Sequence, residues 1–188
     1  QLVFQKANSL KSAIERVALD TNNPYGQLHA WWTLEGLGLL DLNRWEEAIS
    51  NSSSSIVLET LVRLSTQLIG NEAVQLPYLQ GLIAFDQPQI NQQLAIRLGQ
   101  MNLPEADELL LELIAKYGNE PIFCEAFISG ISTREAYFLS AIQSVANSDT
   151  LNALLTTVLA NKANNTIVSP QLPKPNTHKD NRTAGFNL

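Results

Sequence analysis

His29 and Glu35, six residues apart, raise the possibility of general acid–base chemistry, in which an imidazole and a carboxylate exchange protons with a substrate held between them. Wound into a helix, the two lie about 120° apart and do not share a face. His29 falls on a narrow polar strip with Thr33 and Gly36, whereas Glu35 falls between Leu28, Trp31 and Leu39. A carboxylate on an apolar face needs a hydrogen-bonded partner, because burying it unpaired is costly. Glu35 is therefore expected to accept from a Trp indole, a backbone N–H or an arginine such as Arg16 or Arg63, in a structural rather than a catalytic role. Trp31 and Trp32 suggest an aromatic platform for a sugar or a protein. Adjacent helical residues point about 100° apart, so at least one belongs in the core. Both are expected there, with Trp32 the better placed to reach the surface. Trp45 is expected to be a packing residue.

Other reactive side chains lack the company that chemistry requires. The run Ser52–Ser55 has no Gly-x-Ser-x-Gly elbow and no orienting histidine, so it reads as a solvated connector. The single cysteine, Cys124, excludes an internal disulfide, a Cys-based zinc site and a c-type haem attachment motif within this chain. Its neighbours Ile122, Phe123 and Phe127 predict a buried thiol. The two histidines, His29 and His178, lie too far apart in sequence to suggest a local metal site. Glu105, Asp107, Glu108 and Glu112 cluster on one predicted helix, the first three near its N-terminus, where negative charge is favoured. Their spacing lacks the loop oxygens of a calcium site, and no Gly-rich phosphate loop is present. No catalytic, cofactor-binding or metal-binding residue is expected in this chain. His29, Trp32 and Glu35 are kept as interaction or structural polar residues.

The elements that would position these residues are helices. In His29–Leu40, apolar residues cover most of the circumference, which predicts a helix covered by neighbours on several sides. Amphipathic stretches are predicted at 2–19, 56–69, 72–85, 90–101, 105–117, 122–131, 133–145 and 149–160, with a short turn at 44–49. Pro24 and Pro104 are placed to open helices, and Gly70-Asn71 to close one. No strand-rich block with alternating apolar residues is present. From Asn161 onward, Pro170, Pro173 and Pro175 among Asn, Lys and Thr give linker composition. The 188 residues suffice for one domain, and 45% hydrophobic against 16% charged residues indicates a globular one. A net charge of −6 disfavours nucleic acid or an anionic membrane as main partner. No apolar run approaches the roughly 20 residues that span a bilayer. Beginning with Gln, the chain reads as a segment of a longer polypeptide, with no signal from which to judge its compartment.

Helices beginning near Gln27, Ile56, Ile90 and Ile122 each follow a polar or Pro-containing break, and their starts recur about every 30 residues, a spacing at or just under that of helix-pair repeats. The segment Asn23-Pro-Tyr-Gly-Gln-Leu-His-Ala-Trp-Trp-Thr-Leu-Glu-Gly-Leu-Gly38 resembles the HEAT-like region of large bacterial membrane-bound dehydrogenases. In that family a propeller resembling sugar dehydrogenases precedes helical repeats, and a c-type cytochrome domain follows them. Looser similarity is carried by Gln92-Gln-Leu-Ala-Ile-Arg-Leu-Gly99 and by Ala106–Gly118 before Pro121. The tail Arg182–Leu188 resembles the run-in to a cytochrome's first helix. The family pattern usually has Arg where this chain has Gln27, and one aromatic where it has Trp31-Trp32, so any ion pair made by that Arg is absent here.

The expected fold is all-α, a right-handed α-solenoid of HEAT-like helix pairs over residues 1–162, followed by a Pro/Asn-rich irregular linker over 163–188 toward a further domain. By resemblance, the implied role is a non-catalytic scaffold and docking domain that spaces a propeller from a cytochrome domain, at a periplasmic or cell-surface location. Its partners would be neighbouring domains of the same polypeptide or a protein partner, with neither nucleic acid nor direct membrane insertion. Haem c is expected only in the downstream domain. Two rivals come from other classes: a free-standing adaptor that binds a protein or peptide in its groove, and a small helical enzyme.

Overall fold

The computed structural model describes residues 2–167. Among them are ten α-helices and no strand: α1 (Leu2–Ala18), α2 (Pro24–Gly36), α3 (Leu42–Asn51), α4 (Ser55–Leu64), α5 (Glu72–Leu82), α6 (Pro88–Gln100), α7 (Pro104–Tyr117), α8 (Pro121–Gly130), α9 (Glu135–Ala141) and α10 (Asp149–Ile167). Short 3₁₀ turns extend α4, α5 and α9. Proline opens α2, α6, α7 and α8, where its missing N–H costs nothing and its fixed φ already suits the helix. Asn23 and Asp41 accept from the backbone N–H groups of Gly26 and Arg44, capping α2 and α3.

Apolar spacing predicts that α2 runs on through Leu40; in the structure it stops at Gly36. Gly38 adopts φ 65°, and its N–H bonds to Glu35 O at 2.9 Å while Leu39 N–H bonds to Leu34 O at 2.8 Å. This is the paired closure that a left-handed glycine permits at a helix end. Asp41 lies beyond that closure and caps α3. At the other end of the chain, α10 continues past the boundary expected at residue 162, to Ile167. The rest of the expected linker, 168–188, lies outside the described residues.

The even-numbered helices pack serially: α2 on α4, α4 on α6, α6 on α8 and α8 on α10. Odd-numbered helices flank this row, α1 on α2, α3 on α4 and α5, α7 on α6, and α9 on α10. A single apolar cluster runs through the array, including Trp31, Trp45, Leu61, Leu94, Leu110, Phe127 and Phe138. Aromatic edges meet faces within it: the rings of Trp45 and Tyr78 lie 5.7 Å apart and those of Phe127 and Phe138 5.2 Å apart. Contact between α6 and α8 is closest where Gly99 faces Gly130; a Cβ on Gly130 would stand 2.6 Å from Ile96 O.

Polar ties repeat along the chain. An acid in the first turn of an odd helix reaches a later base: Glu72 to Arg97 in the last turn of α6 at 3.8 Å, Asp107 to Arg134 beyond the end of α8 at 2.5 Å, and Glu135 to Lys162 within α10.

Candidate interaction surface

Helix α2 presents different residues to its two sides. Trp31 is buried and its indole N–H donates to Ala18 O at 3.1 Å, where Gln27 Nε2 also donates at 3.0 Å. Together they clamp the last turn of α1. Trp45 is buried too, with its indole N–H on Leu61 O at 2.8 Å. Trp32, one position along from Trp31, is 36% exposed, and the Arg63 guanidinium of α4 lies over its ring at 5.1 Å. That contact ties α2 to α4; Tyr25 and Ile56 are each the second residue of their helix. Tyr25 is 71% exposed and Ile56 39%. The second residue of α8, Ile122, is 64% exposed, whereas α6 and α10 have Gln89 and Thr150 at that position.

His29 and Glu35 are not brought together. His29 is exposed and lines an apolar groove of about 410 Å³ between α1 and α2, with Ile14, Val17 and Ala30. Glu35 is half-buried beside Gly38, Leu40, Gln67 and Leu68. The partner expected for it is missing: among the described residues its carboxylate makes no hydrogen bond or ion pair. Partial exposure lets water solvate it, and Arg63 goes to the Trp32 ring instead. Leu37, expected on the covered side of α2, is exposed because the helix has already ended there.

Sequence reasoning did not single out the buried cations. Arg97 donates from Nε to Ser65 Oγ at 3.1 Å and from a terminal nitrogen to Gln75 Oε1 at 2.7 Å, while Gln75 Nε2 donates to Ser65 O and Leu68 O. Burial pushes the Arg97 pKa down and Glu72 pushes it back up, with burial the larger effect. A visible signal was its position between Leu94, Ala95 and Leu98. Arg134 donates to Gly99 O, Met101 O and both oxygens of Asp107, and lies over the Phe138 ring at 4.9 Å. It closes the C-terminal end of α6, where a cation is favoured. Asp107 is thus occupied structurally, while Glu112 pairs only with Lys116 on the helix surface.

Two further groups are shifted. The Tyr117 hydroxyl donates to Asp86; burial, that hydrogen bond and the carboxylate's charge raise its pKa to about 12. The Cys124 thiol, buried and bonded to Gly118 O at 3.0 Å, is pushed up by burial. Among the described residues no three His, Cys, Asp or Glu side chains gather as metal ligands, and no helix is long and apolar enough to cross a membrane. Tyr25, Trp32, Ile56 and Arg63 are exposed on α2 and α4, and of these Trp32 and Arg63 touch each other. The chain matches no protein-family model, no curated protein and no solved structure.

Proposed function

We infer that this chain is a helical-repeat scaffold and docking domain: a right-handed α-solenoid of HEAT-like pairs that holds neighbouring parts of a larger protein at fixed separation. The observation that carries this reading is the serial packing α2–α4–α6–α8–α10, in which each helix is supported chiefly by its neighbours, as in stacked repeats. Support also comes from three acid-to-base ties that each join the start of an odd helix to a later base. Within that reading, the resemblance of Asn23–Gly38 supports a parent of the membrane-bound dehydrogenase type, with a propeller before the array and a haem-bearing cytochrome domain after it, in the periplasm or at the cell surface. The chain itself then performs no redox step; it sets the distance over which the flanking domains work.

The test is to read the parent gene on both sides of this segment. A propeller upstream and Cys-x-x-Cys-His soon after Leu188 are expected. Unrelated flanking domains, or a stop codon after Leu188, overturn the dehydrogenase assignment and leave the free-standing adaptor.

A further inference from the structure

Charge is unevenly shared along this chain. Residues 168–188, outside the described residues, carry Lys174, Lys179 and Arg182 against Asp180 alone, in a chain of net charge −6. They also carry the spacing Pro170-Gln-Leu-Pro173-Lys-Pro175. Three residues make one turn of a polyproline II helix. In that form Pro170 and Pro173 share a face, with a base immediately after it.

A cleft suited to such a segment lies between α7 and α9. About 400 Å³ in volume, it has Pro104, Asp107, Glu108, Leu111, Arg134 and Tyr137 among its walls. Tyr137 is 54% exposed. Its ring lies against the Arg134 guanidinium at 5.6 Å, and that guanidinium is fixed by both oxygens of Asp107. An aromatic side chain held in place beside apolar neighbours is the surface on which proline-rich segments dock. Glu108, exposed at the same cleft, makes no hydrogen bond or ion pair among the described residues. Asp107 and Arg134 offset each other, so the charge left over at the cleft is negative and complements a base.

Chain geometry brings this particular segment to that cleft. Helix α10 runs antiparallel to α9: Ser148, just before it, bonds to Ile142 O beyond the end of α9, and Lys162 pairs with Glu135 in the first turn of α9. Tyr137 is two residues on from Glu135. Helix α10 ends at Ile167, five residues and about 7.5 Å past Lys162. Six residues lead from Ile167 to Pro173 and reach about 19 Å as polyproline II, more than twice that overshoot.

We propose that Pro170–Pro175 docks in the α7–α9 cleft of its own chain, with Pro170 and Pro173 against Tyr137 and Lys174 beside Glu108. The proposal goes beyond the scaffold reading and is independent of the dehydrogenase parent. Docked there, the segment sets the direction in which the residues after Pro175 leave the array.

A nitroxide placed by T177C in the 188-residue chain tests this, read in the amide spectrum of the isotope-labelled protein. Cys124 is buried, so the added thiol takes the label. Amide signals of Glu108, Leu111 and Tyr137 should lose intensity, while those of α2 and α4 keep theirs. K174E and P170A/P173A lie outside the described helices, and each should restore the lost intensity. High salt should restore part of it, because it screens the pair of Lys174 with Glu108. A segment kept near α9 only by its attachment would broaden the same signals in the altered chains as in the parent, and that result overturns the proposal. So does unchanged intensity at the cleft in the parent. Mixing nitroxide-bearing chains with isotope-labelled chains that lack the nitroxide shows which copy supplies the segment. No loss is expected in the mixture; a loss as large as within one chain overturns docking in the same chain. The dehydrogenase reading is tested separately by the gene's flanks, so either can fail without the other.

Discussion

Thr133 holds φ 75°, a left-handed conformation that crowds a β-branched side chain and costs roughly 1–2 kcal/mol. It sits between the end of α8 and Arg134, and the turn it makes precedes the residue whose guanidinium caps α6 and grips Asp107. The strain is offset by those bonds. Thr133→Gly should therefore stabilise the chain by up to about 1 kcal/mol, read as a higher urea midpoint at unchanged slope. A lower midpoint would show that the threonine side chain makes a contribution larger than its strain. Tyr117 behaves oppositely with pH. Its folded pKa of about 12 exceeds the ordinary 10.0, so the unfolded chain releases this proton first and stability falls as pH rises from about 10 toward 12. Ultraviolet titration should show one of the four tyrosines ionising late, and Tyr117→Phe should remove that step. Cys124, buried with a raised pKa, should resist a disulfide reagent in the native chain and react with one equivalent in guanidinium. Rapid native reaction would place the thiol at the surface.

Between helices, two glycines make opposite demands. Gly130 packs backbone to backbone against α6, so an added methyl meets Ile96 O and Ala95 O; Gly130→Ala should cost about 1–3 kcal/mol. Gly81 lies within α5 with nothing near its missing Cβ, and Gly81→Ala should gain about 0.5–1 kcal/mol. Paired thermal melts of the two variants check both signs. At this scale much of the architecture was legible in the sequence. The prolines and polar breaks placed the starts of α2, α4, α6 and α8 within a few residues, because a helix start is written in local chemistry. The end of α2 was not, because Leu37 and Leu39 continue the apolar spacing and only the φ of Gly38 reveals the turn. Nor were the contacts of Arg63 with Trp32, or of Arg97 with Gln75 and Ser65, since these join residues far apart in the chain. For Glu35 the burden of burial was overestimated: with α2 ending one residue later, its carboxylate stands at a cleft mouth rather than inside a helix face covered on all sides.

For the molecule as a whole, support that passes mainly between adjacent helices implies that units can be removed from an end. A chain cut after Arg134 lacks α9 and α10 yet keeps every neighbour of α2, α4 and α6 in the even row. It should remain folded, with helical signal reduced in proportion to the residues lost and a lower melting temperature. Collapse of all helicity would mean that the array stands only as a closed unit, and the stacked-repeat reading would fall with it. The acid-to-base ties add a pH signature. Burial pushes Glu135 up, but bonds from Lys162 and from the backbone at Glu135 and Thr133 outweigh it and hold its pKa below the ordinary 4.5. The stability it contributes is present above that value and lost as pH falls through the lowered one, an acid-limb loss that Glu135→Gln should reduce.

The Gly99–Gly130 contact has a mechanical consequence. Helices separated by side chains can shear slightly as rotamers change, but main chains in direct touch have no such slack. Under thermal agitation, α6 and α8 then move as one keel, and flexing is shed to the joints on either side, toward α2 in one direction and α10 in the other.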